Sequence, residues 1–162
     1  MAFDTIKRFF YLKSTSMTKE ILFQRLQQLS LQSEAKFGIL TPQHMVEHLT
    51  LTLKMSAGRI PIPEFEPTEK QLARKHALLF TDLPFPQGIN APGLPDTLLD
   101  LRYPDLETAK AELIKSYDAY QLLFQENPTK YTPHPGFGPL NFDEWELFHA
   151  KHMDHHLGQF GC

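Results

Sequence analysis

Four stretches in which apolar residues recur at every third or fourth position most restrict how this chain can fold. This spacing lines one face of an α-helix, whereas a sustained alternation of apolar and polar residues, which marks a half-buried strand, is absent from the sequence. A chain of 162 residues supports one core of ordinary size, so a single domain over residues 1–162 is expected. The sequence thus predicts an all-α fold with four long helices, from about Thr18 to Gln32, Thr41 to Gly58, Asp105 to Glu126 and Asn141 to Gly161.

The connection between the second and third predicted helices is about 45 residues long, which is unusual, and it holds more than half of the thirteen prolines. Proline fixes φ and lacks an N–H group, so the segments RIPIPEFEP and LPFPQGINAPGLP are expected to be extended and irregular. The segment TEKQLARKHALLF between them suits a short additional helix. The expected architecture is a four-helix bundle with a long Pro-rich crossover between helices 2 and 3, which could cover one end of the bundle.

Composition argues against several classes of partner. A formal net charge of -3 without blocks of like charge offers no footprint for nucleic acid. No apolar run approaches the ~20 residues that span a bilayer, and the N-terminus lacks the apolar core of a signal peptide. The single cysteine, Cys162, excludes an internal disulfide framework and is expected to be a terminal thiol without a role. We therefore expect a cytoplasmic protein that acts on a small molecule, without nucleic acid or membrane.

The last predicted helix carries four of the eight histidines within the segment HAKHMDHH. The side chains on its inward face fall within about 80° at ~100° per residue, and they are Trp145, His149, His152, His156 and Gln159. Burying several imidazoles is costly, so they need hydrogen-bond partners or a metal ion. His152 and His156 lie one helical turn apart, which lets both rings reach one ion.

A third ligand must come from another helix, and the second helix offers His44 and His48. His48 flanks the apolar stripe of that helix, whereas His44 falls nearer its edge, so we favour His48 as a ligand and place His44 near the surface beside the site. Three neutral imidazoles leave coordination positions open, as in a reactive site. A set of ligands without thiolate suits Zn²⁺, Ni²⁺, Fe²⁺ or Mn²⁺.

The remaining polar residues near this triad are less constrained. His149 could hydrogen-bond to a ligand, act as a base or be a core histidine, and Gln159 is the other candidate for orienting a ligand or nucleophile. Three histidines are expected outside the ligand set, solvated, beside the site or packed: His76, His134 and His155. The nearby carboxylates are expected mostly to point outward, so none is assigned as general base: Glu47, Glu144, Glu146 and Asp154.

The segments QHMVEHL and HAKHMDHHLGQ together resemble the DinB/YfiT-like superfamily of metalloenzymes. The last helix of that superfamily carries H-x₃-H-x₂-Q, which His152, His156 and Gln159 match, and its ligand in the second helix falls on His48. The lead-in HPGFGPLNFDEW and the doubled histidine resemble a branch known mainly as an uncharacterised domain. The long Pro-rich crossover departs from the compact bundle of the superfamily.

This resemblance implies a thiol-dependent enzyme, in which a divalent metal ion activates the sulfur of mycothiol, bacillithiol or glutathione. We therefore expect transfer of a low-molecular-weight thiol to an electrophile. A metal-dependent hydrolase is the close alternative. The other alternative is a non-catalytic bundle that a metal ion stabilises and that has a structural or interaction role. Association into a homodimer through apolar helix faces is also implied by the resemblance.

Overall fold

The computed structural model describes residues 16–87 and 97–162. These residues are mostly helical, as predicted, and no helix among them is long and apolar enough to cross a membrane. Helices and strands, numbered here in chain order, are α1 (Lys19–Gln27), α2 (Pro42–Ser56), α3 (Glu69–Phe80), α4 (Leu106–Glu126), β1 (Thr132–His134), β2 (Gly138–Leu140) and α5 (Phe142–Gln159).

Side chains cap the N-terminal ends of α2 and α5. The Thr41 side chain accepts a hydrogen bond from a backbone N–H in the first turn of α2. Pro42 lacks an N–H group, which costs nothing at this position because the first N–H groups of a helix have no partner within the helix. Asn141 and Glu144 form a capping box at the start of α5, in which each side chain bonds the backbone N–H of the other residue. These caps fix where α2 and α5 begin, and therefore which turn carries each histidine.

The first helix is shorter than predicted and ends at Gln27. Beyond it, the Ser33 hydroxyl accepts a hydrogen bond from the Ser30 N–H at 3.0 Å. Because the Ser30 N–H is bonded to this side chain, it does not continue the backbone hydrogen bonds of the helix. Leu29 nevertheless stays buried, so the apolar spacing was read correctly while the helix end was not.

The prediction that the chain contains no strand was wrong. Strands β1 and β2 pair antiparallel, with Thr132 opposite Leu140. Each strand has three residues, too few to show an alternating pattern. The Thr132 hydroxyl donates to the Ser56 carbonyl at 2.9 Å and accepts from the Trp145 indole at 2.8 Å, so the hairpin is held between α2 and α5.

The additional helix expected in the crossover is present as α3, and it packs against α5. Helix α2 lies along α4 and also contacts α5, while α1 contacts α4. Trp145 and Tyr120 are the largest fully buried side chains and share the core with leucines of α1, α2 and α4. Histidines of α2 and α5 meet at the contact between these two helices.

Candidate metal centre

Three histidines from two helices converge at the contact between α2 and α5. One ligand atom from each of His48, His152 and His156 lies within 4.8 Å of the others, and His48 Nε2 is 2.9 Å from His152 Nε2. Zn–N bonds of about 2.0–2.1 Å at a tetrahedral angle put two ligand nitrogens roughly 3.3 Å apart. The spacing of these imidazoles therefore fits a single ion, and the structure brings together the three predicted ligands.

Gln159 selects the tautomer of His156. Its Nε2 donates to the Phe37 carbonyl at 2.6 Å, so its Oε1 is the atom that faces His156 Nδ1, at 3.1 Å. An amide oxygen only accepts, so His156 Nδ1 carries the proton and His156 Nε2 keeps a lone pair. A metal-binding histidine usually donates its second ring N–H in this way. Gln159 thus orients His156, one of the three predicted ligands.

His152 is oriented by aromatic packing and by the contact of its Nε2 with His48 Nε2 at 2.9 Å. Its Nδ1 is buried and has no hydrogen-bond partner among residues 16–87 and 97–162. The ring stacks on Phe148 at 5.0 Å between centroids and lies 5.9 Å from Phe85. No acceptor therefore selects its tautomer, which leaves Nε2 free to bind an ion or to share a proton with His48.

Burial keeps all three imidazoles neutral at pH 7. Loss of hydration lowers the pKa of His48 to about 4, with a smaller contribution from His155. Loss of hydration, with a smaller contribution from His48, lowers the pKa of His156 to about 3. Burial, and then the neighbouring imidazoles, hold the pKa of His152 well below its ordinary value. Neutral imidazole is the form that binds metals, so no ligand proton must be removed near neutral pH.

The triad lies in the wall of a cavity of about 640 Å³. That volume is within the range of sites for small molecules. Four charged residues also line the cavity, and of these only Glu47 is buried, whereas Arg74, Asp100 and Arg102 are exposed. The apolar side chains among its walls include Leu51, Leu78, Phe85, Phe137 and Phe148.

His149, the other catalytic candidate, lies in the core behind the triad and does not line this cavity. The Ser56 hydroxyl donates to the Leu53 carbonyl, so it accepts from His149 Nε2–H, at 2.9 Å. The ring also stacks on Trp145 at 5.3 Å. The structure therefore places His149 in the core, where its Nδ1 has no hydrogen-bond partner among the described residues.

Three of the four remaining histidines lie at the cavity edge or at the surface. His44 accepts at Nδ1 from the Thr41 hydroxyl at 2.6 Å and donates from Nε2 to the Leu99 carbonyl at 2.9 Å, so neither nitrogen is free for a metal. It anchors the crossover at the cavity edge. His155 is partly exposed beside Phe37, and His76 is exposed and contacts Phe80.

The expectation that the carboxylates point outward was wrong for two of them. Glu47 is buried and accepts from the backbone N–H groups of Arg102, at 2.8 Å, and Tyr103, at 3.2 Å. Glu146 accepts from Tyr120 and Gln121, and burial raises its pKa. Counting positions on one helix cannot show that another part of the chain covers its outer face. The other two carboxylates form salt bridges, Glu144 with Lys75 and Asp154 with Arg25.

His134 is the cavity residue whose environment the sequence did not reveal. It was expected to be solvated or over the site, but only 8% of it is exposed, and it lines the cavity. Its Nδ1 accepts from the Gly136 N–H at 3.0 Å. The one local signal was the aromatic Phe137 three residues later, on which the imidazole stacks.

Comparison with known proteins finds a family match only within the second half of the chain. Residues 93–161 match a family described as a protein of unknown function (DUF1569). This region contains His152 and His156 and excludes His48, and it covers less than half of the chain. No curated protein and no solved structure gives a significant match.

Proposed function

We propose that this chain is a divalent-metal-dependent enzyme with His48, His152 and His156 as its ligands. The observation that carries the proposal is the convergence of three neutral imidazoles in the wall of a cavity large enough for a small molecule. The proposed reaction is transfer of a low-molecular-weight thiol to an electrophile, as the resemblance to the DinB/YfiT-like superfamily implies. In this proposal α1, α2, α4 and α5 form the four-helix bundle, and α3 belongs to the crossover.

The residues around the triad prepare it for such chemistry. Gln159 holds the His156 ring with its Nε2 lone pair available, and Phe148 holds the His152 ring by stacking. A divalent ion bound there supplies a Lewis acid that lowers the pKa of a nearby thiol or water. The apolar walls reduce the number of competing water molecules around the reacting groups, which strengthens electrostatic interactions.

The ligand set limits which ions suit the site. The triad consists of imidazoles alone, and Glu47, the buried carboxylate of α2, is already bonded to backbone N–H groups of the crossover. Mg²⁺ and Ca²⁺ prefer oxygen ligands, whereas imidazole suits Zn²⁺, Ni²⁺ and Fe²⁺. We therefore expect one of these three before Mn²⁺.

Metal content tests the proposal directly. Tag-free wild-type protein and the variants His48→Ala and His152→Ala are analysed by plasma mass spectrometry, with His44→Ala as a matched control. His44 lies on α2 one turn before His48, and both of its nitrogens are used elsewhere. We expect roughly one divalent ion per chain in wild type and in the control, and none in the two triad variants. Absence of stoichiometric metal from wild type after addition of Zn²⁺, Ni²⁺, Fe²⁺ and Mn²⁺ would refute the proposal.

The reaction class needs a second assay on the metal-loaded protein. Transfer of glutathione or cysteine to 1-chloro-2,4-dinitrobenzene is followed by absorbance, and hydrolysis of naphthyl acetate is followed alongside. Thiol transfer that is lost in His48→Ala supports the proposed reaction. Ester hydrolysis with the same dependence favours a hydrolase instead. A metal-loaded protein that melts at a higher temperature but catalyses neither reaction would favour a bundle in which the metal only stabilises the fold.

A further inference from the structure

His134 presents a hydrogen-bond donor whose tautomer is set by the hairpin. The Gly136 backbone N–H can only donate, so His134 Nδ1 holds a lone pair and the ring proton is on Nε2. Burial lowers the pKa of His134 to about 3, so the ring is neutral near pH 7. Within the part of the chain that the structure describes, His134 Nε2–H has no hydrogen-bond partner, and this nitrogen is not completely buried. Its open side is the cavity that His134 lines.

The orientation of this donor is fixed by aromatic packing. The imidazole stacks on Phe137 at 4.4 Å and 14°, and it meets the Phe148 ring edge to face at 4.6 Å. Trp145 lies 5.5 Å away on α5. A ring held on three sides cannot swing toward solvent, so His134 Nε2–H points at the cavity without a further ordering cost when a ligand binds.

The donor and the histidine triad belong to one cavity and are separated by a single side chain. Phe148 contacts His134 at 4.6 Å and His152 at 5.0 Å between ring centroids. The cavity wall around them is apolar and includes Leu78, Phe85 and Phe137. A molecule that reaches the triad therefore lies against hydrocarbon surface and passes beside one fixed polar N–H.

We propose that the cavity takes an apolar, carbon-rich electrophile that carries a hydrogen-bond-accepting oxygen, such as a carbonyl, and that His134 Nε2–H binds this oxygen. The inference rests on the proposed function in one respect, that substrate binds in this cavity. Neutral imidazole is a suitable donor because it stabilises charge that develops on an oxygen without giving up its proton. The apolar walls supply affinity, and the His134 Nε2–H supplies orientation.

A matched pair of ligands tests the proposal without knowledge of the natural substrate. The probes are 2-acetylnaphthalene and 2-ethylnaphthalene, which have similar size, but only the ketone accepts a hydrogen bond. Dissociation constants are measured by isothermal titration, and the ratio of the two affinities is compared between variants, so that apolar burial cancels. We expect this ratio to fall about fivefold to tenfold in His134→Asn, because the ketone oxygen loses its donor.

The choice of variants separates the role of the donor from that of the fold and of the metal. Asparagine keeps an acceptor at the position of Nδ1 for the Gly136 N–H and removes the Nε2 donor, whereas His134→Gln restores an N–H near Nε2. We expect the glutamine variant to recover most of the ratio. His44→Asn, at another cavity histidine, should leave the ratio unchanged. Wild-type protein in the presence of chelator should also keep the ratio, so this test of the donor is separate from the test of the proposed metal site.

Two results would overturn the inference. Failure of both probes to bind wild-type protein would exclude an apolar ligand, and an unchanged ratio in His134→Asn would exclude His134 as the donor. A measurement on wild type alone covers the case in which the asparagine variant does not fold. The proton resonance of His134 Nε2–H should move downfield with the ketone and not with the alkyl probe, and an equal response to both would also count against the donor.

Discussion

Replacing Gln159 by leucine should separate the hydrogen bonds of the candidate metal centre from its shape. Only 3% of Gln159 is exposed, and its amide bonds His156 Nδ1 at 3.1 Å and the Phe37 carbonyl at 2.6 Å. Leucine has nearly the same volume but leaves both partners without a hydrogen bond. The change therefore removes the acceptor that keeps the His156 Nε2 lone pair toward the triad.

The size of the effect follows from these two bonds. An unpaired buried donor or acceptor costs about 1–3 kcal/mol, and the lower end applies to the half-buried Phe37 carbonyl. The free energy of unfolding of Gln159→Leu should therefore fall by about 2–4 kcal/mol. Loss of the hydrogen-bond acceptor behind a metal-binding histidine typically weakens metal affinity by about 10- to 100-fold.

The variant Gln159→Glu distinguishes the two bonds. A carboxylate still accepts from His156 Nδ1–H but cannot donate to the Phe37 carbonyl. We expect this variant to lose stability while its Zn²⁺ affinity, measured by competition with a chromophoric chelator, stays at or above that of wild type. Gln121→Leu is the control, since Gln121 bonds Glu146 and lies away from the triad. It should lower stability without changing Zn²⁺ affinity.

The reasoning fails if Gln159→Leu binds Zn²⁺ as tightly as wild type. The tautomer of His156 would then not depend on Gln159. It would also fail if Gln121→Leu weakened Zn²⁺ binding as much as Gln159→Leu, because general destabilisation would then explain both losses. Urea unfolding of each variant in the presence of chelator supplies the stability values that this comparison needs.

Three further predictions concern stability. Burial lowers the pKa of His149 to about 3, so between pH 6.5 and 3 the unfolded chain binds a proton that the folded chain does not. Stability in chelator should fall with pH in this window, by up to about 1.4 kcal/mol per pH unit for each such imidazole, and equal urea midpoints at pH 7 and pH 5 would contradict this. Lys151 donates to three backbone carbonyls at and beyond the C-terminal end of α3, those of Leu78 at 2.6 Å, Thr81 at 2.5 Å and Leu83 at 3.0 Å. In Lys151→Met the free energy of unfolding, measured with urea, should therefore fall by about 2 kcal/mol while metal content stays unchanged. Gly38 and Gly58 both have positive φ, but only at Gly38 would a β carbon meet another group, the Gln159 amide at 2.8 Å. Gly38→Ala should therefore lower the melting temperature more than Gly58→Ala, and equal losses would exclude the close contact as the cause.

Much of the helical structure could be predicted because its signals are local. Thr41 with Pro42, and Asn141 with Glu144, mark helix starts through hydrogen bonds that span three residues. The inward face of α5 follows from the angle per residue alone. The β1–β2 hairpin gave no such signal, because its strands are three residues long and are held by contacts with Ser56 and Trp145 from distant parts of the chain.

The candidate site shows the same division between local and distant information. The spacing of His152 and His156 put both rings on one face of the helix, one turn apart, and the apolar stripe of α2 favoured His48 over His44. The spacing from His156 singled out His152 as a ligand, but the sequence left three roles open for His149, which lies on the same inward face. Tertiary packing sets Ser56 beside the His149 ring and the cavity beside the His152 ring.

The amino-acid sequence is enough to predict which residues of a helix share one face, because the rotation per residue is constant. Whether a residue on the inward face meets a cavity or the core depends on how the helices and the crossover pack. Glu47 is buried because the crossover lies over its side of α2, and His134 faces the cavity because the hairpin packs against α5. Both outcomes depend on contacts between residues far apart in the chain, which no local pattern encodes.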